Sequence, residues 1–142
     1  MEQQKLILNK EQGQSLMELA FSLMFLLMLL SGVVDLGRAF FTYMAMRDAA
    51  QEGALYGSIH PTDEIEIKNH VIYSSDMMQN LIAAGDITVE ITDAPCTGNA
   101  VRVQLDHDDF QITMPFIGTF IGKQTIAIRA SVTDTILTPP CQ

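Results

Sequence analysis

An uncharged, strongly apolar run near the N-terminus constrains this chain of 142 residues more than any other feature. The sixteen residues from Leu19 to Val34 carry no charge, and Glu18 lies immediately before them. The 21 residues from Gln14 to Val34 would form a helix about 30 Å long, the thickness of the hydrocarbon core of a bilayer. Because a carboxylate at the bilayer centre costs about 2–3 kcal/mol, Glu18 at the start of this helix requires an explanation.

The charges that flank the apolar run indicate its orientation. Lys5 and Lys10 precede it, although Glu2 and Glu11 cancel them in net charge. Positive residues favour the cytoplasmic side of a membrane, and acids contribute little to that rule. The sequence therefore predicts a single-pass membrane protein with a cytoplasmic N-terminus and an external C-terminal domain.

A cleaved secretory signal peptide is one alternative for the same run. Such a peptide has an apolar core of about 7–15 residues and then a cleavage site of the Ala-x-Ala type. Here the run is longer, and the sequence Ser31–Asp35 at its end contains no such site. A secreted enzyme would require cleavage well after residue 30, and the pattern favours it less than a membrane anchor.

Glu18 also has a purely structural alternative. Ser15 and Glu18 have the spacing of a capping box, in which the serine is the N-cap and the glutamate bonds back to the free amide of the serine. This alternative explains the carboxylate without any processing or assembly of the chain.

The overall composition excludes one class of partner. The net charge is −9 with only eight basic residues, whereas binding to nucleic acid requires clustered Lys and Arg to neutralise phosphates. Most of the acidic residues follow Gly57. We therefore predict no nucleic-acid partner and an acidic C-terminal region.

The periodicity of the chain predicts an α+β fold, with a long N-terminal helix, a second helix and a small antiparallel sheet. The long helix is expected over 14–57, and the second begins with Asp63 as N-cap and extends towards Gly85. Apolar residues then alternate in three runs, at 87–91, 101–105 and 126–132, with a turn at 95–99. The acidic segment 106–109 shifts the alternation by one residue, which predicts a bulge or a turn.

Beyond the membrane, one stripe of the long helix is expected to pack on the globular domain. Its members recur at helical spacing and are Leu36, Phe40, Tyr43, Met44, Ala50 and Ala54. Gly32 and Gly37 have two interpretations, since small residues permit close contact between membrane helices but are also tolerated in lipid.

The remaining polar residues form no recognisable catalytic motif. The segment 106–109 holds three aspartates and a histidine but lacks the spacing of a calcium loop. His60 and His70 have no evident partner in the sequence. We therefore expect no enzyme activity, metal, cofactor or small-molecule substrate.

The two cysteines, Cys96 and Cys141, cannot form a zinc site by themselves. A disulfide between them is expected if the domain is exported, and would stabilise it by about 3–4 kcal/mol on the chain-entropy model. In a cytoplasmic domain they would remain two reduced thiols.

Four features in order resemble the TadE-like family, the minor pilins or pseudopilins of tight-adherence type IV pili. They are a glycine-bounded leader ending at Gly13, an apolar helix with an early Glu18, the segment Asp35–Ala39 and the segment Ala49–Ala54. The matching motif residues are Asp35, Gly37, Arg38, Glu52 and Gly53. Two departures are Gln51 and Leu55, where that family often has arginine.

The resemblance implies a precursor of three parts. A prepilin peptidase would cut between Gly13 and Gln14, so that residues 1–13 are a leader, 14–57 the long helix and 58–142 the domain outside the inner membrane. The new amine would pair with Glu18 of a neighbouring pilin subunit during assembly for surface attachment. A minor subunit is favoured because major subunits of this pilus type are usually much shorter. The alternative is an uncleaved, membrane-anchored binding module that forms no filament.

Overall fold

The computed structural model describes residues 2–115 and 117–141, with side chains for 13–115, 117–119 and 122–141. Four helices and three strands follow one another, with a 3-10 turn before the first strand. In chain order they are α1 (Glu2–Ile59), α2 (Glu64–Ile72), α3 (Asp76–Leu81), the 3-10 turn (Ala84–Asp86), β1 (Ile87–Ile91), β2 (Ala100–Gln111), α4 (Ile117–Ile121) and β3 (Thr125–Thr135).

The three strands form one antiparallel sheet in the order β1-β2-β3. Val103 in the central strand pairs with Val89 on one side and with Val132 on the other. The alternation of apolar residues correctly predicted all three strands, and the α+β fold class is confirmed. β2 is longer than its apolar run because it continues through the acidic segment 106–109.

The predicted irregularity in that acidic segment is also confirmed. The pairing of β2 with β3 shifts register between His107 and Phe110. Leu105 and Phe110 are both buried although they are an odd number of residues apart. Because side chains alternate strictly between the two faces of a strand, an extra residue is needed to bring both to the same face.

Contacts divide the chain into two compact units. One comprises residues 1–37 with 113–124, and the other comprises 38–112 with 125–142. The helix α1 contributes to both units, and the three strands all belong to the second.

The second unit contains the hydrophobic core, in which the C-terminal part of α1, the two short helices α2 and α3, and the sheet pack together. α1 contributes Met46 and three alanines, α2 contributes Ile67 and Val71, and Met78 comes from α3. The sheet supplies Ile87, Val103, Leu105, Phe110, Ile128 and Ala130.

The predicted stripe on α1 is only partly correct. Ala50 and Ala54 are fully buried, but Leu36 and Phe40 are 72% and 59% exposed. The buried residues at helical spacing instead include Thr42 and small residues. Small side chains let the backbone of α1 approach its neighbours closely, so the most apolar face is not the packed one.

The expected second helix is interrupted. Asp63 is its N-cap as predicted, accepting a hydrogen bond from the Glu66 amide. The helix ends at Ile72, and Ser75, in an extended conformation, caps a separate short helix. Ser74 and Ser75 hydrogen-bond to the local backbone, which competes with the continuation of a helix.

The long helix is also longer than predicted at both ends, since it begins at Glu2 and ends at Ile59. Residues 2–12 contain Leu, Lys, Gln and Glu, which are good helix formers. The predicted boundary at Gln14 is therefore not a helix start in the full-length chain.

Candidate functional site

The apolar part of α1 has the properties of a membrane span. The described helix Gly13–Ile59 contains a window long and apolar enough to cross a bilayer, and 6% of that window is buried. A core helix of a soluble domain would be mostly buried, so this segment has no protein core around it. The segment is therefore a candidate single-pass membrane anchor.

The predicted processing segment lies at the N-terminal end of this span. Gly13, Gln14 and Glu18 are all exposed on α1. Among the residues whose side chains are described, none has an atom within 4 Å of a Cβ added at Gly13. The capping-box alternative is wrong for this chain, because Ser15 lies inside a helix that already begins at Glu2.

Glu18 presents an isolated carboxylate on this surface. Among the residues whose side chains are described, none donates a hydrogen bond to Glu18 or forms an ion pair with it. Its apolar neighbours Met17 and Leu19 are 62% and 63% exposed. A carboxylate in this position requires a cationic partner or water if the helix enters a bilayer.

Asp35 ends the apolar run and is buried, with 6% of its surface exposed. Its Oδ2 atom accepts a hydrogen bond of 2.6 Å from the backbone amide of Met114. This contact joins positions 79 residues apart and attaches the segment after β2 to α1 within the first unit. Sequence analysis singled out Asp35 only through its family motif and did not predict this partner.

The other motif residues occupy different environments. The guanidinium of Arg38 lies 5.3 Å from the centroid of the Phe110 ring, a cation–π contact within the second unit. Glu52 is exposed, and with Asp48, Gln51 and Leu55 it lines a shallow surface depression. Within the second unit, Arg38 and Glu52 therefore take part in different contacts.

Gly53 is a point of close approach between α1 and the rest of the domain. A Cβ atom at this position would lie 2.5 Å from Val71 Cγ2 and 3.4 Å from the Ile67 carbonyl oxygen. A larger residue at this position would force the Val71 side chain or α2 to move. The family resemblance identified Gly53 as a motif residue but did not predict its close contact with α2.

Gly32 and Gly37 are not close-packed in the same manner. A Cβ atom at Gly32 would lie 3.5 Å from Met114 Sδ, and one at Gly37 would meet no atom within 4 Å. Within the chain, Gly32 therefore faces the segment after β2, and the face at Gly37 is open. A contact of either glycine with a second helix remains a prediction.

The acidic segment 106–109 is held by an arginine on the neighbouring strand. Arg129 Nε lies 2.9 Å from Asp106 Oδ1, and Arg129 Nη2 lies 4.0 Å from Asp108 Oδ1. Among the described residues, no group of three or more His, Cys, Asp or Glu side chains is arranged to hold a metal ion. The segment therefore acts as part of the sheet, with ion pairs across two strands.

His60 and His70 have a partner that the sequence did not reveal. The Tyr56 ring stacks on both, with centroid distances of 4.8 Å to His60 and 4.2 Å to His70. The pKa of Tyr56 is raised, first by desolvation and then by the carboxylates of Asp63 and Glu66. This aromatic cluster joins the end of α1 to α2.

Cys96 and Cys141 form a disulfide, with their Cα atoms 5.0 Å apart. The hydroxyl of Thr97 donates to the carbonyls of Leu137 and Pro139, at 3.0 Å each. The C-terminal segment is thereby attached to the loop between β1 and β2.

Comparison with known proteins gives a match for the N-terminal part of the chain. No curated protein and no solved structure matches the chain. A family model described as TadE-like protein matches residues 13–55. The match begins at the exposed Gly13, includes the apolar span and Asp35, and ends within the part of α1 that packs on the domain. It confirms the resemblance to the TadE-like family seen in the sequence, over residues 13–55.

Proposed function

We propose that this chain is the precursor of a minor pilin or pseudopilin of a tight-adherence type IV pilus. The observation that carries the proposal is the TadE-like match over residues 13–55, which coincides with the exposed apolar part of α1 and its junction with the domain. The proposed function is structural, without a catalytic step, cofactor or small-molecule substrate. Its partners are the membrane, a prepilin peptidase, other pilin subunits and the pilus assembly proteins.

In this proposal the peptidase cuts the chain between Gly13 and Gln14. The exposure of both residues supports access by a peptidase. Removal of 13 of the 142 residues leaves 129, and Glu18 becomes the fifth residue of the mature chain.

Glu18 then pairs with the new N-terminal amine of a neighbouring subunit. Either charge in lipid without a partner is costly, and an ion pair removes much of that cost while it fixes the register of the two helices. The exposed carboxylate, with no cationic partner among the described side chains of its own chain, supports this intermolecular role.

In this proposal the C-terminal domain lies outside the inner membrane, and residues 2–12 lie in the cytoplasm. The disulfide between Cys96 and Cys141 supports an exported domain, because disulfides persist in oxidising compartments and are rare in the cytosol. Lys5 and Lys10 support the same orientation.

A test of assembly compares Glu18→Ala with Asp48→Ala in cells that produce the pilus. Asp48 is a matched control because it is an exposed acid on the same helix, outside the span. We expect Glu18→Ala to be cut normally but to reduce the amount of this subunit recovered with sheared pili by about tenfold or more, because a lost charge pair in lipid costs at least 1.4 kcal/mol. Asp48→Ala should assemble normally.

Normal incorporation of Glu18→Ala into pili would contradict the proposed role of this carboxylate. A chain that keeps its first 13 residues and never associates with pili would favour an uncleaved, membrane-anchored binding module instead.

A further inference from the structure

The segment between β2 and β3 has an unusual composition for a surface connection. Residues 113–122, here called the apolar loop, contain no charged residue, and five of the ten are Met, Phe or Ile. Asp109 and Lys123 are the nearest charges on either side. Loops of soluble domains are normally polar and exposed to water. This composition therefore requires an apolar environment for the loop.

The apolar loop belongs with the membrane segment rather than with the sheet. Residues 113–124 and 1–37 form one compact unit. Met114 donates its amide hydrogen to Asp35 at the end of the span, and its Sδ atom lies near Gly32. The loop is thus fastened to α1 at the point where the uncharged run ends.

Beyond Met114, the next residue of the loop, Pro115, lies beside a part of the span that is closer to its N-terminal end. Pro115 and α1 line an apolar groove of about 400 Å³. The lining residues on the helix are Ala20, Leu23, Met24, Leu27 and Met28. These positions precede Asp35 by 7–15 residues, which corresponds to about 10–22 Å along a helix. The groove therefore lies at the depth of the hydrocarbon core.

Several polar backbone groups of the loop are bonded within the protein, as a lipid environment requires. The carbonyl of Met114 accepts a hydrogen bond of 3.1 Å from Gln124 Nε2, and its amide is bonded to Asp35. The short helix α4 forms internal bonds, and the Gly122 amide donates to the Gly118 carbonyl at 2.9 Å. Non-helical backbone enters a bilayer only where such groups are bonded within the protein.

The side chains that line the groove favour lipid over a second helix. Leu23, Met24 and Leu27 remain 52–54% exposed, so the loop does not cover them. Contacts between membrane helices favour small residues, and Ala20 is the one small residue among the described residues that line the groove. Long, flexible Leu and Met side chains pack well against acyl chains.

We propose that the apolar loop is a second membrane element, which inserts into the leaflet on the side of the C-terminal domain and binds lipid acyl chains along the groove. Asp35 fixes its base at the membrane boundary. This inference rests on the membrane anchor of the proposed function, but it does not require cleavage of the leader or assembly of a pilus.

The absence of tryptophan from the chain permits a direct test. Single tryptophans are introduced into the full-length protein by Ile117→Trp in the loop, Leu27→Trp in the span and Leu137→Trp at an exposed position of the second unit. Each variant is reconstituted into phosphatidylcholine vesicles, with and without phosphatidylcholine brominated on its acyl chains. Iodide, which quenches tryptophans exposed to water, is the second quencher.

We expect Ile117→Trp to emit at shorter wavelength than Leu137→Trp and to be quenched by brominated lipid to the same degree as Leu27→Trp. Iodide should quench only Leu137→Trp. If Ile117→Trp loses the helical circular dichroism of the parent protein, Thr119→Trp replaces it as the loop reporter.

Three results would overturn the inference. Quenching of the loop tryptophan by iodide would place the loop in water, and protection from both quenchers would place it in a protein contact. In either case a lipid-quenched Leu27→Trp would leave the proposed anchor intact. If Leu27→Trp is also unquenched by lipid, both the anchor and the inserted loop are wrong.

Discussion

At the scale of single residues, small side chains determine how α1 packs against the domain. Ala50 and Ala54 are fully buried, and Gly53 and Gly57 are the points where the backbone of α1 comes nearest to its neighbours. A Cβ atom at Gly57 would lie 3.1 Å from both Ile67 Cδ1 and Val101 Cγ2. The close approach of helix to sheet therefore depends on the absence of side chains at these positions.

Gly53→Ala should destabilise the second unit. The added methyl group would lie 2.5 Å from Val71 Cγ2, and such overpacking costs about 1–3 kcal/mol. Gly37→Ala is the matched control on the same helix, because no atom lies within 4 Å of its Cβ position. The control should be neutral or stabilising by up to about 1 kcal/mol, since alanine favours helix over glycine.

Chemical unfolding of the two full-length variants in detergent measures this difference. Equal free energies of unfolding for Gly53→Ala and Gly37→Ala would contradict the packing role of Gly53.

Sequence analysis identified several of these residues but not their contacts. Gly53 and Asp35 were found through motifs, whereas Val71 and Met114, their partners, are 18 and 79 residues away in the chain. The stacking of His60 and His70 on Tyr56 could not be predicted from the sequence, because it depends on the turn between α1 and α2. The sequence motifs therefore indicated which residues matter, but their contact partners are distant in the chain and become evident only in the folded structure.

At the scale of secondary structure, periodicity predicted the strands better than the helices. Alternating apolar residues located β1, β2 and β3 and also the register shift before Phe110. The same reasoning was only partly correct for α1 after the membrane, because Ala50 and Ala54 are buried as predicted but Leu36 and Phe40 are exposed. Hydrophobicity alone did not predict which residues of α1 are buried, because close packing of the helix also requires small residues.

The apolar loop is attached to α1 by a hydrogen bond that a single substitution at Asp35 can remove. Asp35→Ala removes the acceptor for the Met114 amide. A donor left without a partner costs about 1–3 kcal/mol, so hydrogen exchange at Met114 should accelerate by about 10- to 100-fold. Asp35→Asn should have a smaller effect, because its amide oxygen can still accept the bond.

Hydrogen exchange of residues 113–124 in lipid vesicles provides this measurement, with Asp48→Ala as the control for loss of a carboxylate from the same helix. Exchange at Met114 that is equally slow in Asp35→Ala and in the parent protein would show that the hydrogen bond does not hold the loop.

At the scale of the whole molecule, one chain combines an exposed apolar helix with a disulfide-linked α+β unit. The sequence predicted both parts, since an uncharged run and alternating strands are local patterns. The grouping of residues 113–124 with the N-terminal helix was not predicted. That grouping includes the hydrogen bond between Met114 and Asp35, positions 79 residues apart, which no local pattern of the sequence reveals.

The central claim is that residues 1–13 are a leader removed by a peptidase. The most direct measurement is the intact mass and N-terminal sequence of the protein recovered from native membranes, for the parent chain and for Gly13→Val. Among the described residues, no atom lies within 4 Å of a Cβ added at Gly13, so this variant tests recognition rather than folding. Gly85→Val is a control at a glycine whose Cβ position is equally open. The account predicts 129 residues beginning at Gln14 for the parent and for Gly85→Val, and an uncut Gly13→Val. A parent chain that still begins at Met1 would contradict it.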